Sequence, residues 1–282
     1  MPTSMSAGGA EAADEGAVLW SGMRRGILLN VVRGRRGALL AAGLAITAAA
    51  AQSDDRWRDV ESRIQYGYYT EDAAALRHLP ELIDATDAHD KLRGYYGGLL
   101  AWRLASLAAR SPGSVPGSSA SALAQRCLHA VDAALELQAE FADALALRFA
   151  CRAIPYGTGG GYASSSGQRG RRDLERAQQL AARNPRVLLV DAMGEYELAS
   201  GKSGNRERAL AKLRQAVAAF EAERSGAEQQ PGWGAAEAWQ LLGRELLDRG
   251  DPVGARDALE HALLIAPEFV QARRLMAKII SG

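Results

Sequence analysis

Apolar residues recur every three or four positions along nearly all of the chain after residue 52. This spacing is the period of an amphipathic α-helix, and only short polar or Gly- and Pro-containing turns interrupt it. The pattern predicts helices over 54–69, 71–85, 88–110, 119–137, 140–153, 168–183, 186–199, 205–223, 233–249, 252–265 and 268–280. Consecutive helices joined by short turns pack as antiparallel hairpins, so the pattern predicts an all-α fold.

The turns carry residues that end one helix and start the next. Asp251 followed by Pro252 supplies an N-cap side chain and a first-turn proline. Asn205 can cap the helix that follows it, and Pro267 separates the last two predicted helices. These signals support the helix boundaries independently of the apolar period.

One stretch of the chain, 236–269, has the spacing of a complete repeated unit. Counted from Ala236, a large residue stands fourth, Leu-Gly seventh and eighth, alanine twentieth and twenty-seventh, and proline thirty-second; these are Trp239, Leu242, Gly243, Ala255, Ala262 and Pro267. The pattern resembles the tetratricopeptide repeat (TPR), a helical hairpin of about 34 residues. The small residues Gly243 and Ala255 are expected where the paired helices cross, and Trp239 and Leu242 are expected to fill the groove against a neighbouring hairpin.

Weaker forms of the same spacing occur earlier in the chain. They are Tyr95, Gly98 and Trp102 for a first helix, and Cys127, Val131, Ala134 and Ala209, Leu213, Ala216 for second helices. A single repeat cannot bury its faces alone, and at least about three are needed for stability. The resemblance therefore implies a TPR-like domain over 52–282, with antiparallel helical hairpins stacked in a right-handed superhelix (an α-solenoid) and a C-terminal cap helix at 268–280.

The resemblance also implies a class of function. TPR proteins are typically scaffolds whose concave surface holds a peptide or a partner helix. On the last repeat, the groove-facing positions would be Glu237, Gln240, Arg244 and Asp248. This mixed set does not match the cluster of basic residues with which chaperone-binding members hold a carboxylate. The implied partner is therefore a protein or peptide of another kind, with no cofactor.

Composition agrees with a helical interior and gives no sign of a nucleic-acid partner. Hydrophobic residues make up 48% of the chain and aromatic residues 6%, with alanine prominent among the apolar residues. Small apolar residues suit close helix packing, whereas β-sandwiches prefer β-branched and aromatic residues. The formal net charge is +1, which gives no basic footprint for nucleic acid.

The first 51 residues have the features of an N-terminal extension followed by a signal peptide. A basic stretch precedes the apolar run 38–51, which ends in an Ala-x-Ala motif at Ala51. Cleavage after Ala51 predicts a periplasmic or secreted protein. Because a long polar segment precedes the apolar run, Met23 is an alternative start. If the leader is not cleaved, 38–51 would anchor the protein in the inner membrane; if the leader is not used, the protein would be cytosolic.

Candidate metal-binding and catalytic residues are few. The four histidines, His78, His89, His129 and His261, have neither metal-ligand nor triad spacing, which predicts ordinary surface or packing roles and no metal site. Cys127 and Cys151 lie on successive predicted helices. Two interpretations are open for them: two buried thiols or, in an exported protein, a disulfide.

Two further segments each allow a structural and a functional interpretation. The Gly-rich loop 155–167 has no preceding strand and no closing Lys-Ser/Thr, so it is predicted to connect two helices, although its tyrosines and the following arginines could contact a partner. An aromatic group near the N-terminus comprises Trp57, Tyr66, Tyr68, Tyr69, Tyr95, Tyr96 and Trp102. This group predicts either hairpin packing or an aromatic-lined peptide groove.

The sequence therefore predicts an exported, non-catalytic TPR-type scaffold that binds a protein or peptide in the cell envelope. An alternative of a different class is a helical-toroid enzyme or carbohydrate-binding protein. That alternative requires paired, buried acids in a pocket beside Trp57 or Trp102. A cytosolic TPR adaptor is the third hypothesis.

Overall fold

The computed structural model describes residues 55–87, 89–154, 164–200, 205–224 and 231–281. In these residues every regular element is a helix. The helices are α1 (55–69), α2 (Ala73–Arg77), α3 (Pro80–Asp84), α4 (Lys91–Arg110), α5 (Ala120–Leu137), α6 (Ala142–Arg152), α7 (Ser165–Leu180), α8 (Pro185–Ser200), α9 (Arg206–Arg224), α10 (Ala235–Asp248), α11 (Pro252–Ile265) and α12 (Val270–Ser281). The predicted leader 1–51 and residues 155–163 of the Gly-rich loop lie outside the described residues.

Four helical hairpins form most of the fold. They are α4 with α5, α6 with α7, α8 with α9, and α10 with α11, and α12 packs on α10 and α11. The second helix of each hairpin contacts the first helix of the next one. The fold is therefore an all-α stack of antiparallel hairpins, as predicted.

The helix bounds follow the sequence signals closely, with one exception. The single helix predicted over 71–85 is two short helices, α2 and α3, separated at His78 and Leu79. Pro80 occupies the first position of α3, where its missing N–H costs nothing. Because the proline ring excludes a continuous helix through this point, the prediction of one helix was wrong.

Side-chain caps start several helices, including α11 at the predicted cap Asp251. Asp251 accepts from the backbone N–H of Gly254 at 2.9 Å, and Pro252 follows it at the first position of α11. Asp90, Ser119 and Ser164 cap α4, α5 and α7 in the same way. These bonds satisfy N–H groups that the first turn of a helix leaves unpaired.

The repeat at 236–269 forms the hairpin of α10 and α11. Trp239, Leu242, Ala255 and Ala262 are buried in it. A Cβ placed on Gly243 would lie 2.7 Å from Cγ of Leu259 and 3.1 Å from the carbonyl oxygen of Ala255. A larger residue at position 243 would therefore push the two helices apart.

A disulfide joins two successive hairpins. Cys127 on α5 and Cys151 on α6 are bonded, with their Cα atoms 6.0 Å apart. This separation is within the range that disulfides require. Both residues are buried, so the bond lies in the core between the first and second hairpins.

Two neighbouring glycines in α4 give a test of how tightly the first hairpin is packed. A Cβ on Gly94 would lie 2.7 Å from the carbonyl oxygen of Ala130 and 2.8 Å from the backbone nitrogen of Ala134, so Gly94→Ala should destabilise the fold by about 1–3 kcal/mol. A Cβ on Gly97 would meet only the Cβ of Ala130 at 3.6 Å. Gly97→Ala should therefore stabilise by up to about 1 kcal/mol through helix propensity. Urea unfolding of both variants measures the difference, and equal effects would contradict the packing described.

No helix in the described part of the chain is long and apolar enough to cross a membrane.

Candidate binding site on the first-helix layer

The first helices of the hairpins, together with α12, lie side by side. We call α4, α6, α8, α10 and α12 the first-helix layer, because each contacts the next in this order. On α4, Gly94 and Gly98 pack most closely against α5. Tyr96 and Arg103 lie seven residues apart, on the opposite face of α4. Because α5 covers the first face, a molecule that binds the first-helix layer would contact this opposite face.

This face of the layer is partly occupied by the chain's own helix α1. The Trp57 ring stacks on Tyr96 of α4 with centroids 5.1 Å apart, and its Nε1 donates to Oδ2 of Asp90 at 2.7 Å. At the other end of α1, the Tyr69 ring packs against Phe269, just before α12, at 4.5 Å. Helix α1 therefore reaches from the first hairpin to the end of the last one.

A buried ion pair lies under α1 and joins the first hairpin to the last. Arg103 of α4 is 1% exposed and pairs with Glu237 of α10. Helix α1 completes the cluster, because Tyr69 donates its hydroxyl to Glu237 at 2.6 Å and Gln65 bonds both Glu237 and Arg103 at 3.1 Å. Both charges are thus desolvated, paired and further hydrogen-bonded, which is the arrangement that a buried ion pair requires.

Aromatic rings surround the Arg103 guanidinium. Its carbon lies 4.1 Å from the ring centroid of Tyr68, 4.5 Å from that of Trp102 and 4.9 Å from that of Trp233. Ring faces attract a cation, and the attraction grows when water is excluded. Trp233 also donates its Nε1 to the hydroxyl of Tyr95 at 2.7 Å, which ties the segment before α10 to α4.

A second buried carboxylate, Glu61 of α1, bridges the same two regions. It accepts from the hydroxyl of Tyr96 at 2.7 Å and from the backbone N–H of Gly232 at 3.0 Å. Burial raises the pKa of Glu61, and these two hydrogen bonds offset part of the rise. At the C-terminal end of α1, Glu71 adopts a φ of 59° and forms an ion pair with Arg274 of α12 at 2.8 Å.

These contacts explain the aromatic group near the N-terminus. Its members Trp57, Tyr95, Tyr96 and Trp102 are buried in the contacts between α1, α4 and the segment before α10. Tyr66 is the exception, at 57% exposed. Of the two interpretations of this group, the structure supports packing.

The four predicted groove positions share one face of α10, but they lie in different surroundings. Glu237 and Gln240 are 7% and 8% exposed, and Glu237 is held by α1 and Arg103. Arg244 and Asp248 are exposed. Only Arg244 and Asp248 are therefore open to a partner, and Glu237 has partners on α4 and α1 that the local pattern does not reveal. A binding role for the four residues stays a prediction.

Arg244 and Asp248 belong to the part of the first-helix layer that α1 does not cover, which we call the open half of the layer. Further residues of this open half lie on α8. Tyr196 donates its hydroxyl to Oδ2 of Asp248 at 3.0 Å, and the Arg244 guanidinium lies 5.7 Å from the Tyr196 ring centroid. Glu197 is solvent-accessible, yet crowding by protein atoms raises the pKa of its carboxyl, and the charge of Arg244 offsets part of the rise. Sequence reasoning did not find Tyr196 and Glu197, because only the stacking of α8 beside α10 brings them to this face.

The pH dependence of stability tests whether Glu61 is buried where α1 covers the first-helix layer. Because burial raises its pKa above the ordinary value of 4.5, Glu61 favours the folded state when protonated, and this contribution is lost as pH rises through the folded-state pKa. The free energy of unfolding of Glu61→Gln minus that of the unmodified protein should therefore be larger at pH 7 than at pH 4, so the variant gains relative stability as pH rises. Urea unfolding at the two pH values measures the change.

Glu195→Gln is the matched control for that test. Burial raises the pKa of Glu195, but the hydrogen bond from Arg208 and the charge of Lys212 outweigh it and lower the pKa. The difference between Glu195→Gln and the unmodified protein should change with pH in the opposite direction. The same sign for both variants would contradict the burial of Glu61.

The buried carboxylates that the enzyme hypothesis calls for are engaged by the chain's own groups. Glu61 and Glu237 lie close to Trp57 and Trp102, but each is bonded to donors from α1, α4 or the segment before α10. A cleft of about 510 Å³ lies elsewhere, between the start of α8 and α9. Buried carboxylates held by donors of the chain itself are typical of a structural cluster.

Within the described residues, the histidines and acids are spread over separate elements. His78, His89 and His129 are exposed on separate helices or turns, and the His261 ring stacks on Trp239 at 4.3 Å. No group of three or more His, Cys, Asp or Glu within the described ranges could hold a metal ion.

Of the comparisons with known proteins, the one with solved structures found similar chains. No family model matches the chain, and no curated protein matches it. Among solved structures it is similar to a thermophilic TPR protein of Thermus thermophilus, with 14% identity, a TM-score of 0.46, and coverage of 81% of this chain and 99% of that one. By its own stacked hairpins and the helix crossing at Gly243 and Ala255, this chain has a TPR-like fold of helical hairpins.

Proposed function

We propose that this chain is a non-catalytic scaffold that binds a segment of a protein partner on the open half of the first-helix layer. The observation that supports the proposal is the position of α1 on the first-helix layer. The layer already holds one helical segment, through aromatic and charged side chains spread over its first and last hairpins. A surface that binds its own helix in this way has the shape and chemistry to bind another segment alongside it.

Arg244 is the residue on which binding is expected to depend most. It lies seven residues after Glu237, and therefore on the same face of α10, but beyond the part that α1 reaches. Arg244 is exposed and has no ion pair with any described residue, although Glu197 stands near it on α8. Arginine beside tyrosine is a composition common among residues that dominate binding energy.

Site-specific photocrosslinking in cells tests the proposal. A photoreactive amino acid is placed at position 244 in one variant and at position 264 in another. Leu264 is 79% exposed on α11, on the other side of the last hairpin, so it is the matched control. We expect a discrete protein adduct from position 244 and none from position 264. No adduct, or the same adduct from both positions, would overturn the proposal.

We further propose that the protein acts in the cell envelope after export. The apolar run 38–51 with its Ala-x-Ala end supports this, and so does the Cys127–Cys151 disulfide, because such bonds persist mainly in oxidising compartments. The intact mass of the protein from a periplasmic fraction should correspond to a chain starting at Gln52. A full-length cytosolic product would overturn export, and a full-length membrane-bound product would identify the leader as an anchor.

A further inference from the structure

The last helix of the stack repeats the register of the helix one hairpin earlier. A shift of about 34 residues along the chain aligns Leu242, Gly243 and Leu246 of α10 with Met276, Ala277 and Ile280 of α12. The packing supports this register. Ala238 of α10 and Ala272 of α12 occupy equivalent positions, and both are completely buried.

The equivalent faces of the two helices differ in what covers them. On α10, Leu242, Gly243 and Leu246 are buried, and α11 packs directly over Gly243. On α12, Met276 is half-buried, Ala277 is exposed and Ile280 is 78% exposed. No helix among the described residues covers this face, which we call the α12 face (Arg273, Met276, Ala277 and Ile280). Its apolar and small residues occupy the positions that are buried in the preceding hairpin.

The contact between α10 and α11 shows what the α12 face would accept. Leu259 of α11 lies over Gly243, and the flanking small residues Ala255 and Ala262 are fully buried. His261 stacks on Trp239. A helix docked on α12 in the same way would place a leucine-like side chain near Ala277, and its residue equivalent to His261 near position 273.

The charged residues of α12 indicate which net charge a docked helix should carry. Position 273, equivalent to Trp239, is an arginine, and α12 also carries Arg274 and Lys278 but no acidic residue. Arg274 pairs with Glu71, whereas Arg273 and Lys278 form no ion pair with the described residues. An acidic helix would complement these charges, while the α12 of a second copy would bring the same charges together.

We propose that the α12 face binds an acidic amphipathic helix of a partner protein, which completes the last hairpin in the way α11 completes the one before it. The expected stripe on that helix is a small residue, a leucine four positions later, an acidic residue two further on, and a small residue next to it. This site does not involve Glu197, Arg244 or Asp248, so it stands or fails independently of the open half of the first-helix layer.

A helix built from the chain's own α11 is the probe. The labelled peptide has the sequence of residues 251–266 with His261→Glu and Arg256→Lys. A lactam between the side-chain amine at position 256 and the carboxyl of Glu260, two positions that are exposed in α11, holds it helical. Its fluorescence anisotropy is measured against the full-length protein. We expect binding that weakens with salt. The receptor variant Ile280→Glu should weaken it about tenfold or more, which corresponds to about 1.4 kcal/mol. The variant Leu264→Glu, at an equally exposed apolar residue, should leave it unchanged.

Charge reversal distinguishes docking in this register from non-specific attraction. Arg273→Glu should weaken binding of the acidic peptide, and a peptide with His261→Lys should bind that variant better than it binds the unmodified protein. No binding, equal loss with Leu264→Glu, or no response to the charge reversal would each overturn the proposal. A dimer in sedimentation that disappears with Ile280→Glu would also overturn it, since a second copy would then be the occupant.

Discussion

Replacing Glu237 by Gln is expected to lower the free energy of unfolding by about 3–5 kcal/mol. The change leaves the Arg103 guanidinium charged and 1% exposed, without the carboxylate that neutralises it. The neighbouring Gln65 can still accept from Arg103, but it carries no charge. Denaturant unfolding followed by circular dichroism measures the loss.

Two further variants show whether burial of the charge is the cause. Glu260→Gln removes a solvent-exposed pair with Arg256 on α11 and should cost about 0.5 kcal/mol or less. The double variant Arg103→Met with Glu237→Leu should be more stable than Glu237→Gln alone, because no unpaired charge stays buried. If Glu237→Gln costs no more than Glu260→Gln, then α4 and α10 do not meet as described.

Loss of the Cys127–Cys151 disulfide is expected to destabilise the protein by about 3 kcal/mol. The bond links residues 24 positions apart on two hairpins, so breaking it enlarges the freedom of the unfolded chain. Replacement of both cysteines by alanine avoids a buried hydroxyl, and its urea midpoint can be compared with that of the oxidised protein. Because both sulfurs are buried, a reductant should act slowly on the folded protein.

The double-alanine variant also serves as the control for reduction. A reductant should lower the unfolding midpoint of the unmodified protein and leave that of the variant unchanged. If the reductant has no effect on the unmodified protein, or if its mass shows two free thiols after purification under oxidising conditions, then the two cysteines do not pair.

The local features of this fold could be predicted from sequence because local interactions determine them. The start of α11 follows from Asp251 and Pro252, and the closeness of α10 and α11 follows from Gly243. The split between α2 and α3 was missed because Pro80 was included in an apolar period that continues past it. A proline within a helical pattern was the signal that could have revealed the split.

The candidate site could be predicted only in part, because its key contacts join distant positions. The face of α10 that carries Glu237 and Arg244 follows from the repeat register. The partners of Glu237 do not, since Arg103 lies 134 residues away and Gln65 lies 172 residues away. A buried arginine in α4, at a position where α4 otherwise carries apolar residues, was a weak signal of such a contact.

The occupation of the first-helix layer by α1 decides which residues a partner can reach, and hydrogen–deuterium exchange tests it directly. In the full-length protein, the amides of residues 60–69 should exchange as slowly as those of residues 238–246 in α10, because both segments open only when the array unfolds. Rapid exchange across 60–69 alongside slow exchange in α10 would contradict the account, since α1 would then leave the layer open.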